Sequence, residues 1–452
     1  MQVTELGRDG LKRTLKVVVA KADLSQRFAT RLDEIKDTVQ IKGFRKGKVP
    51  VPHLKKVYGK ALMAEVLEQA VKDTSAKAIA ERNERPAVQP KIEVIDAKEG
   101  MADRIINGEE DLSYSMSFEV LPPIPLADFG ALKLERLVTD VEPAELDAAL
   151  VNLAERNTTF EPEEGRAANT GDLVTMDFTG KIDGEIFEGG SGENASLVIG
   201  KGQFIPGFEE GLIGVKAGDT RTIEATFPAE YPMPALGGKA ATFDVQVKNV
   251  SRPLRPDLDD AFAVGVGAQN LDNLKELVGA QIKREYDQAS RMKLKRELLD
   301  ELDKVHTFEL PGSLVEFEFS NIWAQLQNNL KSNGRTMADE GKPEDEIKEE
   351  YQKIAERRVR LGLVIGEIGE KNKIKVSEDE LRRALIEQAR RYPGQEKMVY
   401  EYYEKTPGAL AELRAPIFED KVVDFILDAA KPVEKKVSKD DLMKQVEETT
   451  QN

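Results

Sequence analysis

Apolar and polar residues alternate with a period of two over several stretches of the chain, which predicts half-buried antiparallel strands. Leu11, Arg13, Leu15, Val17 and Val19 share one side of such a stretch, and Leu112, Tyr114, Met116, Phe118 and Val120 share one side of another. In the middle of the chain, Val174, Met176 and Phe178 alternate with Thr175, Asp177 and Thr179. Ile223, Ala225 and Phe227 follow the same rule, as do Phe243, Val245 and Val247 against Thr242, Asp244, Gln246 and Lys248. Elsewhere the period lengthens. Leu24, Phe28, Leu32, Ile35 and Val39 step by three or four, an amphipathic helix following Asp23. A second helix is predicted over about 60–82. Beyond about residue 252 the spacing is helical: Leu271, Leu274, Leu277, Val278, Ile282 and Tyr286 form one face, and Leu314, Val315, Ile322, Trp323, Leu326 and Leu330 another. Ser377 followed by Glu380 and Leu381 reads as a capping box that opens a third helix.

These periods suggest a multidomain α+β chain, and 452 residues suit about three domains. The first 112 residues mix strand and helix, and Leu121-Pro-Pro-Ile-Pro125 ends their last strand. Residues 160–251 hold 15 of the 34 glycines and 7 of the 17 phenylalanines, the pattern of a turn-rich β domain with an aromatic core. The remainder is helical up to Pro432. The last residues, with Lys435, Lys436, Lys439, Asp440 and Asp441 and no aromatic, read as a disordered tail.

Cysteine is absent, which removes disulfides, thiolate metal sites and cysteine nucleophiles. The two histidines, His53 and His306, are too few for multi-His metal sites and far apart in sequence, against most Ser-His-Asp schemes. No cofactor and no metal are called for. No apolar run reaches the 18 residues of a membrane span, and charges interrupt the N-terminus before a signal-peptide core forms, so a soluble cytoplasmic protein is expected.

Charge changes the picture when it is divided by segment. Residues 36–60 carry eight basic side chains (Lys36, Lys42, Arg45, Lys46, Lys48, Lys55, Lys56, Lys60) against Asp37, a local charge of +7. The whole chain is at −16, which leaves −23 for the rest. Such a contrast suits docking to a polyanion at one point, while the acidic remainder argues against binding long DNA. Two readings of Phe44 stay open from the residues: an exposed anchor beside Arg45 and Lys46, or a ring tucked into the core under a solvated charge run. A phosphate-binding P-loop is excluded, because Gly43 to Gly47 is one residue short and Val49 stands where Ser or Thr is needed.

The stretch Gly43-Phe-Arg-Lys-Gly-Lys-Val-Pro50 resembles the ribosome-docking signature of the trigger factors, bacterial ribosome-associated chaperones. The resemblance implies that Gly43, Phe44, Arg45, Lys46, Gly47 and Lys48 meet a large-subunit protein and rRNA beside the exit tunnel. The middle region is similar to FKBP-type prolyl isomerases in Gly171-Asp-Leu-Val-Thr-Met-Asp-Phe-Thr-Gly180, Asp183-Gly-Glu-Ile-Phe-Glu188, Gly200-Lys-Gly-Gln-Phe-Ile-Pro-Gly-Phe-Glu-Glu210 and Gly237-Gly-Lys239 with Phe243. This implies a catalytic pocket of Phe178, Phe187, Glu188, Phe204, Ile205, Phe208, Tyr231, Leu236 and Phe243. Phe208 would be its floor, and the Tyr231 hydroxyl and Ile205 N–H would hold substrate carbonyls. Glu188 stands where small FKBPs usually carry Asp. Read singly from the pattern, Phe178 and Phe243 fit plain β-sheet core as well as a pocket. Prolyl isomerisation breaks no covalent bond, so the scarcity of His and Cys is no obstacle.

Leu310-Pro-Gly-Ser-Leu-Val-Glu316, Arg391-Tyr-Pro-Gly-Gln395 and Ala415-Pro-Ile-Phe-Glu-Asp-Lys-Val-Val-Asp-Phe-Ile426 resemble the helical C-terminal domain of the same family, an all-α body with arms. The resemblance therefore implies a ribosome-binding domain over 1–112, a linker packing along the C-terminal domain over 113–159, an isomerase domain over 160–251 and a helical chaperone domain over 252–432, and composition adds a disordered charged tail over 433–452. The expected partners are the ribosome and nascent or unfolded polypeptides, with no membrane and no DNA, and a weak homodimer off the ribosome. Two rivals stand beside this reading. One is a free FKBP-type isomerase whose flanking domains recruit clients. The other is a non-enzymatic helical scaffold with a degenerate β module.

Overall fold

A computed structural model describes the chain except residues 37–38, 40–43, 45–48, 96–103, 106–108, 232, 234–235 and 452 and the side chains of Glu188, Thr450 and Gln451. The chain forms two units that do not follow chain order: Met1–Arg136 with Met292–Glu434, and Leu137–Arg291 with Lys435–Asn452.

In the first unit, β1 (Gln2–Asp9), β2 (Lys12–Val19), β3 (Lys91–Val94) and β4 (Leu112–Glu119) form an antiparallel sheet in the order β1-β2-β4-β3. The alternation along β2 and β4 turns Leu15, Val17, Tyr114 and Met116 inward, where they meet Leu24 of the helix Lys21–Lys36 and Ala70 and Ala78 of the helix Val51–Arg82. A buried polar contact fixes this packing: the Tyr114 hydroxyl lies 2.8 Å from Thr74 Oγ1 and 2.9 Å from Ser75 Oγ. The first helix opens at Lys21, so Asp23 falls in its first turn, and Asp111 Oδ1 accepts the Lys21 N–H at 2.8 Å. The second helix starts nine residues before its predicted position, because Pro52 sits in its first turn, where a missing N–H costs nothing. Because β4 belongs to this sheet, the linker expected over 113–159 cannot begin at 113.

The helical part of this unit includes Gly312–Ser332, Glu344–Lys371, Glu378–Arg390, Glu396–Lys405 and Ala409–Ala430. Its core joins Leu294, Leu298, Leu302, Val364, Ile368, Val422, Val423 and Ile426, with Ile124 and Leu134 of the preceding segment packed among them. The Ser377 capping box is present: Ser377 Oγ accepts the Glu380 N–H, and Glu380 Oε2 accepts the Ser377 N–H at 2.7 Å.

A short strand, β5 (Glu135–Val138), carries the chain into the second unit. There β6 (Thr159–Pro162), β7 (Leu173–Ile182), β8 (Glu185–Val198), β9 (Thr220–Thr226) and β10 (Ala240–Leu254) make an antiparallel sheet. The long β10 is central. It pairs β7 along one edge, and β9 and then β6 along the other. Val174, Met176, Ile223, Ala225, Phe227, Phe243, Val245 and Val247 are all buried, as their alternation requires.

The helical domain expected over 252–432 is divided between the two units near residue 291. The dividing element is the helix Leu271–Val305, whose 35 residues span about 52 Å at 1.5 Å per residue, too long for one small core. Its first turns put Leu274 beside Leu150, Ala154, Phe262 and Ala263, and Leu277 is exposed although its spacing suggests the same face. The tail is also a correction. In place of disorder, β11 (Val433–Lys436) and a helix over Lys439–Gln451 follow Pro432. Charge dominates that segment, but Leu442 is fully buried against Leu137 and Tyr286, with Val437, Met443 and Val446 beside them. Lys439 Nζ adds an ion pair to Glu145 at 2.5 Å.

Candidate functional site

The β sheet of the second unit builds a cavity of about 400 Å³. Side chains from three strands and two loops line it: Phe178 of β7, Phe187 of β8, Phe243 of β10, Phe204 and Ile205 of the loop after β8, and Phe227, Tyr231 and Leu236 between β9 and β10. The rings meet mostly edge to face, as their quadrupoles favour. Phe178 and Phe204 are 5.7 Å apart at 84°, Phe187 and Phe227 5.7 Å at 83°, and Phe227 and Tyr231 4.8 Å at 65°. Such walls accept an apolar ring against their aromatic faces.

Small residues make the walls possible. A Cβ on Gly180 would stand 2.6 Å from the Phe243 ring and 2.9 Å from Phe187, and one on Gly192 would stand 2.8 Å from Phe178. The strands therefore approach at those points only without a side chain.

The structure brings Phe178, Phe187, Phe204, Ile205, Tyr231, Leu236 and Phe243 together around the cavity. Phe178 and Phe243 serve both core and wall, since each also packs against the buried cluster beneath. Phe208 departs from the expected floor. It is fully buried and does not line the cavity; Phe204 stacks over it with centroids 4.8 Å apart and planes at 17°. The Glu188 side chain lies outside the described residues. Phe227, Met233 and Pro206 also line it and were not singled out from the sequence; Phe227 read there only as a strand residue.

Two polar groups at this cavity are unspent. Among the described residues, neither the Tyr231 hydroxyl nor the Ile205 backbone N–H has a hydrogen-bond partner. A third polar group is fully engaged. Glu209, nearly buried, accepts four backbone N–H bonds: Gln203 and Phe204 on Oε1 at 2.6 and 3.1 Å, and Gly200 and Gly202 on Oε2 at 2.7 and 3.1 Å. Burial works against its charge, but the donors from Phe204, Gly202, Gly200 and Gln203 outweigh this and hold the carboxyl below the usual carboxylate range. The acidic pair after Gly207-Phe208 was the only sequence signal for it.

Of the docking segment, Phe44 is described, whereas Gly43, Arg45, Lys46, Gly47 and Lys48 lie outside the described residues. Phe44 is exposed, with its ring centroid 5.2 Å from that of His53. The core beside it is built from Phe28, Leu32, Val49, Leu54, Leu62, Met63 and Val66 without it. Phe44 is thus not the tucked-in ring of the second reading. His306 is structural: buried, it places Nδ1 2.8 Å from the Leu302 carbonyl and accepts the Ala127 N–H on Nε2.

Three family models match successive stretches of the chain. The family model for the bacterial trigger factor protein matches residues 1–153, its C-terminus model matches residues 270–428, and the model for FKBP-type peptidyl-prolyl cis-trans isomerase matches residues 164–248. A trigger factor of Parvibaculum lavamentivorans is 51% identical over 443 residues, covering 98% of this chain and 86% of that protein. One of Xanthobacter autotrophicus is 49% identical over 448 residues, covering 99% of each. A solved structure from work on promiscuous substrate recognition by the trigger factor chaperone aligns with a TM-score of 0.57 at 23% identity, over 95% of this chain and 99% of that one, a likeness of fold.

Proposed function

The chain belongs to the trigger factor family, and from that premise we propose that its aromatic cavity is the prolyl isomerase site and the segment around Phe44 its ribosome contact. Membership establishes the coarser function: a ribosome-associated chaperone that engages nascent polypeptides and carries a peptidyl-prolyl cis-trans isomerase domain. The free-isomerase alternative is not favoured, because the models for both flanking domains match as well.

The observation that carries the site assignment is the pairing of an aromatic wall with two polar groups that have no partner among the described residues, the Tyr231 hydroxyl and Ile205 N–H. The barrier to rotation about a peptide bond is about 18–20 kcal/mol and arises from amide resonance. A proline ring seated against Phe178, Phe204 and Phe243 leaves its amide in surroundings that solvate the planar, polar form poorly. As the bond twists, resonance and polarity fall, so the cavity holds the twisted amide better than the planar one. Tyr231 and Ile205 hold the flanking carbonyls and fix the chain about which rotation occurs. Leu236 and Phe187 close the sides, and Glu188 is proposed as a further member of the site. Rotation itself requires no proton transfer and no nucleophile.

At the ribosome, Phe44 is the exposed anchor, with Arg45, Lys46 and Lys48 against rRNA phosphates and a large-subunit protein. The isomerase domain follows the division stated from the sequence, 160–251, and the ribosome-binding domain runs at least to Glu119, the end of β4. A cytoplasmic location and a weak homodimer off the ribosome complete the proposal. No helix among the described residues is long and apolar enough to cross a membrane.

Cosedimentation with ribosomes tests the docking. Replacing Phe44, Arg45 and Lys46 by Ala abolishes binding at moderate salt and leaves turnover of a Phe-Pro peptide intact. Undiminished cosedimentation would remove the assignment.

A further inference from the structure

Four backbone N–H groups converge on the Glu209 carboxylate, and they come from the segment that carries two of the proposed site's members, Phe204 and Ile205. We propose that Glu209 is the positioning residue of the isomerase site: its carboxylate shapes the Gly200–Ile205 loop so that the Phe204 ring and the Ile205 N–H face the substrate. This rests on the reading of the aromatic cavity as that site.

The geometry divides the work between the two oxygens. Oε1 takes Gln203 and Phe204, and Oε2 takes Gly200 and Gly202. A carboxylate can accept at both oxygens from two donors each, and no neutral side chain of this length can. In Glu209→Gln, whichever way the amide turns, its NH₂ faces two backbone N–H groups and leaves them without an acceptor. The next N–H in the chain, that of Ile205, is not among the four and has no partner among the described residues. The carboxylate thus takes four of the five N–H groups over Gly200–Phe204, Lys201 turning instead to the Val198 carbonyl, and the Ile205 N–H stays without a partner among the described residues. On the other side, Glu209 follows Phe208, on which Phe204 stacks, so the loop is held by its backbone from one residue and by its ring from the neighbour.

The charge of Glu209 also suits its place. It makes no ion pair with any described cation, so its charge is balanced by backbone dipoles alone. A lysine or arginine partner would have brought a long polar side chain to an apolar wall.

The test uses the full chain, with Glu209→Gln and, as a matched control, Asp172→Asn. Asp172 is a buried carboxylate of the same unit, ion-paired with Arg166; it does not line the cavity, and its side chain makes no bond to the Gly200–Ile205 loop. Turnover of a Phe-Pro peptide, thermal unfolding and amide hydrogen exchange are measured on each. The expected result for Glu209→Gln is a fall of about tenfold or more in kcat/KM. It comes with faster exchange at residues 200–205 and unchanged protection in β7 and β10. Asp172→Asn, even with an equal loss of melting temperature, keeps its turnover. The proposal is overturned if Glu209→Gln stays within twofold of the parent while Phe204→Ala is strongly impaired. It is also overturned if turnover falls equally in both carboxylate variants, which would make the effect one of stability. Full turnover in Phe204→Ala would remove the site reading, and the proposal with it.

Discussion

Phe204 stacks on Phe208 with ring centroids 4.8 Å apart and planes 17° from parallel, so that one ring faces the cavity and the other is sealed beneath it. The two should therefore separate chemistry from stability. Phe208→Ala empties a fully buried site and should cost about 3–5 kcal/mol in unfolding free energy. Phe204→Ala removes a half-exposed ring and should cost less stability while lowering kcat/KM for a Phe-Pro peptide more than tenfold. Chemical denaturation and turnover, measured on both, check the ordering. The reverse ordering would place the floor of the site at Phe208.

Tyr231 offers a cleaner deletion, because its hydroxyl has no partner among the described residues. Tyr231→Phe removes one neutral hydrogen bond, about 0.5–1.5 kcal/mol, so kcat/KM should fall about two- to tenfold. The thermal midpoint should not change. A large loss of stability would mean that the hydroxyl serves the fold and not the substrate.

The pH response of the helical part of the first unit follows from Glu380. Its hydrogen bonds from Lys421 and from the Ser377 backbone and hydroxyl lower its carboxyl pKa from 4.5 to about 2. A depressed folded-state value means stabilisation that is present above pH 4.5 and lost as pH falls through about 2. The thermal midpoint of the parent should therefore exceed that of Glu380→Gln above pH 4.5, and the two should converge as pH approaches 2. Both groups of the ion pair are about a third exposed, so added salt should narrow the gap.

The C-terminal helix should be easily released. A 13-residue helix is marginal by itself, and this one is held chiefly by Leu442, its neighbours Met443 and Val446, and the Lys439–Glu145 pair. Leu442→Ala removes about 2–5 kcal/mol of packing, as much as such docking provides. Amide exchange over residues 439–451 should then approach that of an unfolded segment, with β7 unaffected. Protection that persists would mean that other contacts hold the helix.

Some of this was legible in the chain before any folding. The period of two in β2, β4, β7, β9 and β10 and the three-to-four spacing around Leu24, Phe28 and Leu32 report which face of each element meets the core, a local property of the backbone. The aromatics of the cavity other than Phe227 could be named as well, because the family resemblance, carried by motifs of fixed order, implies them. So could the segregation of charge that left a basic segment on an acidic chain, since charge adds along the sequence without reference to geometry.

The rest depended on where distant segments meet. Asp111 caps the helix at Lys21 from 90 positions away, and Leu442 finds Leu137 and Tyr286 across most of the chain. Composition alone gave the opposite answer for that tail, since one buried leucine weighs little against many charges in an average and a great deal in a groove. Phe208 and Phe204 differ by four positions and are equally apolar, yet only the packing of the sheet decides which one the cavity sees. Glu209 resembled many other acids in an acidic chain. Its role arises because a folded loop turns four N–H groups toward one point, and hydrogen bonds, unlike hydrophobicity, have direction.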